Sequence, residues 1–249
     1  VYVATHKHAE NIAADLQRMG VPALFYHGGL KAKQREEIHS KFMNGEAPVI
    51  VATNAFGMGV DKPNIRFVFH ADVSDSLDAY YQEIGRAGRD GEPAEAVLFY
   101  RPEDISAQQF KTGPAHVDSE GLEAAYNAVV AYKGPMPREE IVKKTGINAR
   151  KLVGLLQKLE DTEAVRRLES GEIEAASTRP LAEIIESASE KQKFQKAMRK
   201  RRLQQMQTYA ESRSSCRPAF LLHYFGDVYE GPCGNCDRCE EARVLPRAA

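Results

Sequence analysis

Two sets of side chains in this sequence have the types and spacing to do chemistry. The first is Cys216, Cys233, Cys236 and Cys239, separated by 16, 2 and 2 residues. Two-residue gaps let neighbouring amides turn thiolates onto one ion, so the pattern reads as a metal site. Structural, tetrahedral zinc suits it best; an iron-sulfur cluster uses similar runs, and disulfides form a third possibility. His223 lies close by, but four thiols already complete a tetrahedron. The second set is Arg86 and Arg89 in Tyr80-Tyr81-Gln82-Glu83-Ile84-Gly85-Arg86-Ala87-Gly88-Arg89-Asp90-Gly91. Placed three apart on one helix face, they would aim two planar guanidinium groups at a triphosphate. A pair of surface arginines held in salt bridges is the plainer alternative.

These groups need a frame. Short apolar runs at 1 to 5, 23 to 26, 49 to 52, 67 to 69 and 96 to 100 alternate with amphipathic, helix-length stretches at 8 to 19, 31 to 43 and 77 to 88. Continuous apolar strands imply burial on both faces, hence an α/β fold with a parallel sheet between helices. Functional loops in such sheets gather at the carboxyl ends of strands. There the sequence puts Thr5, the turn His27-Gly28-Gly29, and Thr53-Asn54-Ala55-Phe56-Gly57-Met58-Gly59-Val60-Asp61. Gly57 and Gly59 let backbone amides approach a phosphate, and Asp61 can bond a ribose or order a neighbouring arginine.

Composition sets wider bounds. The 249 residues, 43% hydrophobic and 28% charged, suffice for a full core and one or two smaller domains. A net charge of -1 gives no global pull toward nucleic acid, so any such binding must be local. The strongest local candidate is 191 to 202, with seven Lys or Arg and no acid, although a solvated helix accounts for it equally. No run approaches the roughly 18 apolar residues of a membrane span. The start at Val1 lies inside a strand-like run and resembles no signal peptide, so a cytosolic fragment lacking its N-terminal portion is expected.

The segments Tyr26-His27-Gly28-Gly29-Leu30, Ala52 to Pro63 and the arginine segment resemble the second RecA-like domain of superfamily 2 helicases, specifically the RecQ family. Ser215 to Asp227 and the cysteines resemble that family's zinc-binding subdomain. The resemblance implies that Thr5, His27, Gly28 and Thr53 line a single-strand DNA track, and that Gln82, Gly59, Asp61, Arg86 and Arg89 face ATP and magnesium. Arg89 takes the arginine-finger position. It further implies an ATP-dependent 3′ to 5′ DNA helicase, located in the cytoplasm, on the bacterial nucleoid or in the nucleus. The phosphate loop and acidic pair such an enzyme needs are absent: no glycine precedes a lysine and no aspartate precedes a glutamate. This chain alone is therefore expected to be inactive without its own N-terminal RecA-like domain. A non-catalytic DNA-binding adaptor and an RNA helicase fragment are the competing readings.

Three domains follow: residues 1 to 105, 106 to 190 and 191 to 249. The middle segment departs from the RecQ pattern. Helix-like stretches at 126 to 132, 137 to 144 and 148 to 158 precede short runs at 164 to 168 and 173 to 175 around Ser170-Gly171-Glu172. That order resembles a helix-turn-helix with a β-wing, able to read duplex DNA through Arg150 and Lys151, with Arg166 and Arg167 on the wing. A packing or protein-contact module fits the same order.

Overall fold

The structure is a computed structural model, which describes all residues except Met58, 111 to 116, Thr178 and 245 to 249. Met58 of the expected phosphate-facing turn, and the start of the expected insertion, thus lie outside the described residues. The chain divides into two compact units, one formed by 1 to 112 with 199 to 249 and the other by 113 to 198.

In the first unit, helix α1 (His6–Arg18) precedes strand β1 (Ala23–Tyr26), and helix α2 (Ala32–Met43) crosses over to β2 (Val49–Ala52). Strand β3 (Phe67–His70), helix α3 (Leu77–Ile84) and strand β4 (Glu95–Leu98) repeat the pattern, and α4 (Pro102–Phe110) follows. β1 pairs with β2 and β3 with β4, both in parallel. Tyr2 bridges the two pairs, lying parallel to Ala52 on one side and His70 on the other. Its amide donates to Phe69 O at 2.6 Å, and Val3 N donates to Ala52 O at 2.9 Å. One sheet results, ordered β1, β2, Tyr2, β3, β4. The strand expected over 1 to 5 is reduced to these bridges because Thr5 already caps α1, its hydroxyl accepting from His8 N at 3.1 Å.

Burial on both faces is realised residue by residue. Val49 and Val51 pack with Ala9 and Ala13 of α1 on one face, while Ile50 and Ala52 pack with Phe42 and Phe56 on the other. A third core joins Val73, Leu77, Tyr80 and Ile105 to Leu203, Met206, Tyr209 and Leu221. The stretch expected as a separate third domain from residue 191 therefore shares a core with the sheet, through the end of helix α8 (Leu181–Glu211) and helix α9 (Arg217–Tyr224). α10 (Asp237–Val244) closes the described chain.

The second unit has the expected helix-turn-helix and wing. Helices α5 (Ser119–Val130), α6 (Arg138–Thr145) and α7 (Ala149–Asp161) precede the antiparallel strands β5 (Val165–Arg167) and β6 (Ile173–Ala175). Met136 adds a third position to this small sheet by bridging Ile173. The turn is written locally: Gly146 ends α6 at φ 69°, and Asn148 starts α7 by accepting from Lys151 N at 2.8 Å. Leu152, Leu155, Leu156 and Leu159 form the inner stripe of α7, against Leu122, Tyr126, Met136 and Ile141. Leu156 is fully buried. Replacing it by alanine is expected to cost this unit about 2 to 5 kcal/mol, read from urea melts of the single variant.

Candidate functional site

The carboxyl ends of the strands bring three separated segments together. His27 follows β1 and is buried; its ring stacks on His6 at 4.3 Å, and its Nε2 lies 3.0 Å from Glu10 Oε1. A Cβ on Gly28 would lie 3.9 Å from Ala55, so this turn runs beside the one after β2. There Thr53, also buried, receives the Ala55 amide on its hydroxyl at 3.4 Å. Thr5 belongs to the same edge as the cap of α1. His27 is thus a packed residue whose Nε2 is engaged, while its buried Nδ1 has no hydrogen-bond partner among the described residues. Sequence reasoning missed Asp72, which holds the edge together: its Oδ2 accepts from Ala4 N at 2.7 Å and lies 2.6 Å from His8 Nδ1.

The arginines differ from expectation in one respect. α3 stops at Ile84 and Gly85 is its C-cap, so Arg86 and Arg89 occupy the turn after the helix, not one helix face. Beyond this cap the helix cannot resume, because Gly88 and Gly91 hold φ of 65° and 83°, conformations in which L-residues are strained. Both arginines nevertheless reach the Gly57 to Asp61 turn. Arg86 Nη1 donates to Val60 O at 3.3 Å, and its guanidinium lies 2.9 Å from where a Gly57 Cβ would stand. Its buried Nε has no hydrogen-bond partner among the described residues. Arg89 donates through Nε to Gly85 O at 3.1 Å and through Nη1 to Asp61 Oδ1 at 2.7 Å. Of the two alternatives for Asp61, ordering an arginine is the one observed. Gly59 sits in the same turn at φ 80°. Gln82, on α3, is exposed.

What aims this turn is a buried polar cluster. Glu83 Oε2 lies 2.8 Å from His70 Nε2 and accepts from Ser74 Oγ at 2.8 Å, with His70 fully buried. The His70 ring is sandwiched between Tyr2 and Tyr80, at 5.2 and 4.8 Å. The Tyr2 hydroxyl donates to Phe56 O at 3.0 Å, and burial pushes its pKa up to about 12. Central sheet, α3 and arginine turn are thereby fixed to one another. Only the odd placement of His70 and Glu83 in apolar surroundings hinted at this in the sequence.

The four cysteines converge, their sulfurs all lying within 4.8 Å of one another. Cys233 and Cys239 are 3.9 Å apart and Cys216 and Cys236 4.0 Å, close to the separation of about 3.8 Å that a tetrahedron with Zn–S of about 2.3 Å requires. The thiols are free, and these distances are twice a disulfide's, about 2.05 Å. An iron-sulfur cluster would place several atoms between the thiolates and hold them wider. Backbone amides complete the site: Cys233 N donates to Cys216 Sγ at 3.3 Å and Arg217 N to Cys236 Sγ at 3.5 Å. Burial opposes ionisation of Cys236, but the Arg217 and Cys239 amides and neighbouring thiols outweigh it and draw the pKa down to about 7. Burial takes Cys233 the other way, up to about 11. His223 is exposed and stands outside the cluster. Arg217, unremarked in the sequence, staples the site: it pairs with Asp237 through Nε at 2.9 Å and Nη2 at 2.8 Å, bonds Tyr209 O, and lies 5.2 Å over the Tyr209 ring.

In the other unit, three of the four residues suggested for duplex contact are already engaged. Lys151 pairs with Asp118 at 2.7 Å, Arg166 with Glu174 and Arg167 with Glu160 at 2.9 Å, whereas Arg150 is exposed.

Known proteins share both features. Residues 1–91 match the family described as helicase conserved C-terminal domain, and residues 159–240 match RecQ zinc-binding. The latter match begins within α7, upstream of the boundary at 191 expected from the sequence. The ATP-dependent DNA helicase RecQ of Bacillus subtilis is 53% identical over 110 residues, which cover 44% of this chain and 19% of the relative. The protein of the same description from Pasteurella multocida is 32% identical over 239 residues, 96% of this chain and 26% of the relative. ATP-dependent DNA helicase Q-like 2 of Arabidopsis thaliana is 43% identical over 129 residues, 52% of this chain and 18% of the relative. The chain spans about a fifth to a quarter of the length of these relatives. Sheet, arginine turn and thiolate cluster thus have a common explanation: this chain belongs to the RecQ family of superfamily 2 helicases.

Proposed function

We propose that this chain is the C-terminal motor part of an ATP-dependent DNA helicase that moves 3′ to 5′, working with its own N-terminal RecA-like domain. Residues 1 to 105 act as the second RecA-like domain, 106 to 190 as an inserted module, and 191 to 249 as the basic helix and zinc-binding part. The observation that carries the reading is the convergence of Arg86 and Arg89 on the Gly57 to Asp61 turn, at the carboxyl ends of a parallel sheet.

In this reading Arg89 is the arginine finger. Its exchangeable bond to the exposed Asp61 leaves it free to swing to a γ-phosphate brought by the N-terminal domain, where it would stabilise charge developing in phosphoryl transfer. Arg86 holds the turn in place while presenting its remaining donors. Gln82, Gly59 and Asp61 border the ATP and magnesium, whose phosphate loop belongs to the partner domain. Thr5, His27, Gly28 and Thr53 form the edge that backs the single strand, through backbone amides and hydroxyls suited to sugar-phosphate. The zinc is structural, closed by four thiolates with no open position for substrate. No helix among the described residues is long and apolar enough to cross a membrane, and action on DNA would place the protein in the cytoplasm, at the nucleoid or in the nucleus.

ATP turnover with single-stranded DNA tests the reading. The lone chain is expected to show none above background, and mixing with a separately made N-terminal half is expected to restore it. Turnover by the lone chain, or none after mixing two folded halves, would overturn it.

A further inference from the structure

Helix α8 carries a surface that the proposed cleft does not use. Ile184 and Ala188 are buried near its start, and Leu203, Met206 and Tyr209 near its end. Between them, from 189 to 202, no side chain is buried. Twelve of these residues, 191 to 202, hold seven Lys or Arg and no Asp or Glu. At about 1.5 Å per residue they cover about 18 Å of helix.

A helix exposed all round is ordinarily held by ion pairs between its own turns. Here the arrangement is the reverse. Lys193, Lys196 and Lys200 stand at i, i+3 and i+7 on one face and repel one another, with Arg199 beside them. None of the four has an ion-pair partner among the described residues. Elsewhere several exposed cations are paired: Lys41 with Glu37, Arg66 with Asp90, Lys151 with Asp118, Arg167 with Glu160. A protein of net charge -1 has thus concentrated uncompensated positive charge on one helical segment, at a cost to that helix. Phe194, 67% exposed, is set within the run and offers an aromatic face to solvent.

We propose that the segment 191 to 202 of α8 is a second DNA contact, separate from the strand-end track. Its cations bind the sugar-phosphate backbone without regard to sequence, and Phe194 stacks on an unpaired base where one is available. The choice of DNA as the polyanion rests on the helicase reading; the backbone chemistry is common to single strands and duplexes, and the two are told apart below.

The test is fluorescence anisotropy with the intact, zinc-loaded chain, a labelled oligo-dT and a labelled duplex, across a salt series. In the triple variant Lys193→Gln, Lys196→Gln, Lys200→Gln the slope of log K against log salt is expected to fall by about 2 for the single strand or about 3 for the duplex, from about 0.7 and 0.9 per phosphate contact. Glutamine preserves helix propensity, so helicity and zinc content should match the parent. Phe194→Ala is expected to weaken single-strand binding and leave duplex binding unchanged. An unchanged salt slope in the folded triple variant overturns the proposal, as does failure of the parent chain to bind either DNA at low salt. Loss or survival of ATP turnover in cleft variants does not move this slope, so the two readings fail separately.

Discussion

Replacing Arg89 by alanine is expected to lower ATP turnover of the reassembled two-domain enzyme by about 10³ to 10⁵ while leaving this chain folded. The size follows from position. Arg89 sits in a turn fixed by Gly88 and Gly91, it is partly exposed, and its bonds go to Gly85 O and the exposed Asp61. Nothing in the core leans on it, and an exposed ion pair of this kind contributes at most about 1 kcal/mol. In the proposed reading, transition-state charge is the large term it serves. Lysine should not rescue, because a point charge lacks the planar fork. Steady-state kcat and KM for ATP decide the matter: kcat within tenfold of the parent would remove Arg89 from catalysis. Arg86 differs in kind, since its guanidinium packs on Gly57 and bonds Val60 O inside the turn.

The second large effect is on folding. Cys236→Ser, or zinc removal by a strong chelator, is expected to melt α9, α10 and the loop between them. Structural zinc in small modules contributes about 10 to 16 kcal/mol of apparent binding energy at neutral pH, and little apolar burial stands behind it here. Of the described residues from 216 onward, Leu221 and Cys239 are the buried ones. Because Leu221 packs with Leu77, Tyr80 and Met206, loosening should spread into the core beneath α3 and lower the melting temperature of the first unit as a whole. Zinc analysis should find one ion per chain, and far-UV circular dichroism should lose helix on chelation. A chelated chain with unchanged helicity and melting temperature would make the cluster dispensable to the fold.

Much of this frame was legible in the residues. Val49 to Ala52 read as a strand buried on both faces because all four are apolar, and each face found its own core. Asn148 and Gly146 announced a turn through chemistry that acts within four residues. The thiols gave away their site because ligand spacing is itself local. What escaped depended on partners distant in sequence. The arginine segment has helical spacing, but α3 ends at its cap Gly85 before either arginine, Gly88 and Gly91 keep it from resuming, and the target the arginines reach lies 26 to 28 residues upstream. The wing arginines read as free charges until the β5–β6 register set Arg166 opposite Glu174. Arg217 gave no signal at all, since its partner Asp237 is 20 residues on and matters only once the cysteines have closed.

The place of Tyr2 in the sheet has a consequence in time. The strand position at the centre precedes both of its neighbours along the chain, since Ala52 and His70 come 50 and 68 residues later. Each flanking pair can zip up over a shorter loop, β1 with β2 and β3 with β4, whereas closing the middle must wait for the most distant contacts in the sheet. The docking of Tyr2 thus joins two ladders into one sheet, and through its contact with His70 it ties that sheet to Glu83 and the arginine turn.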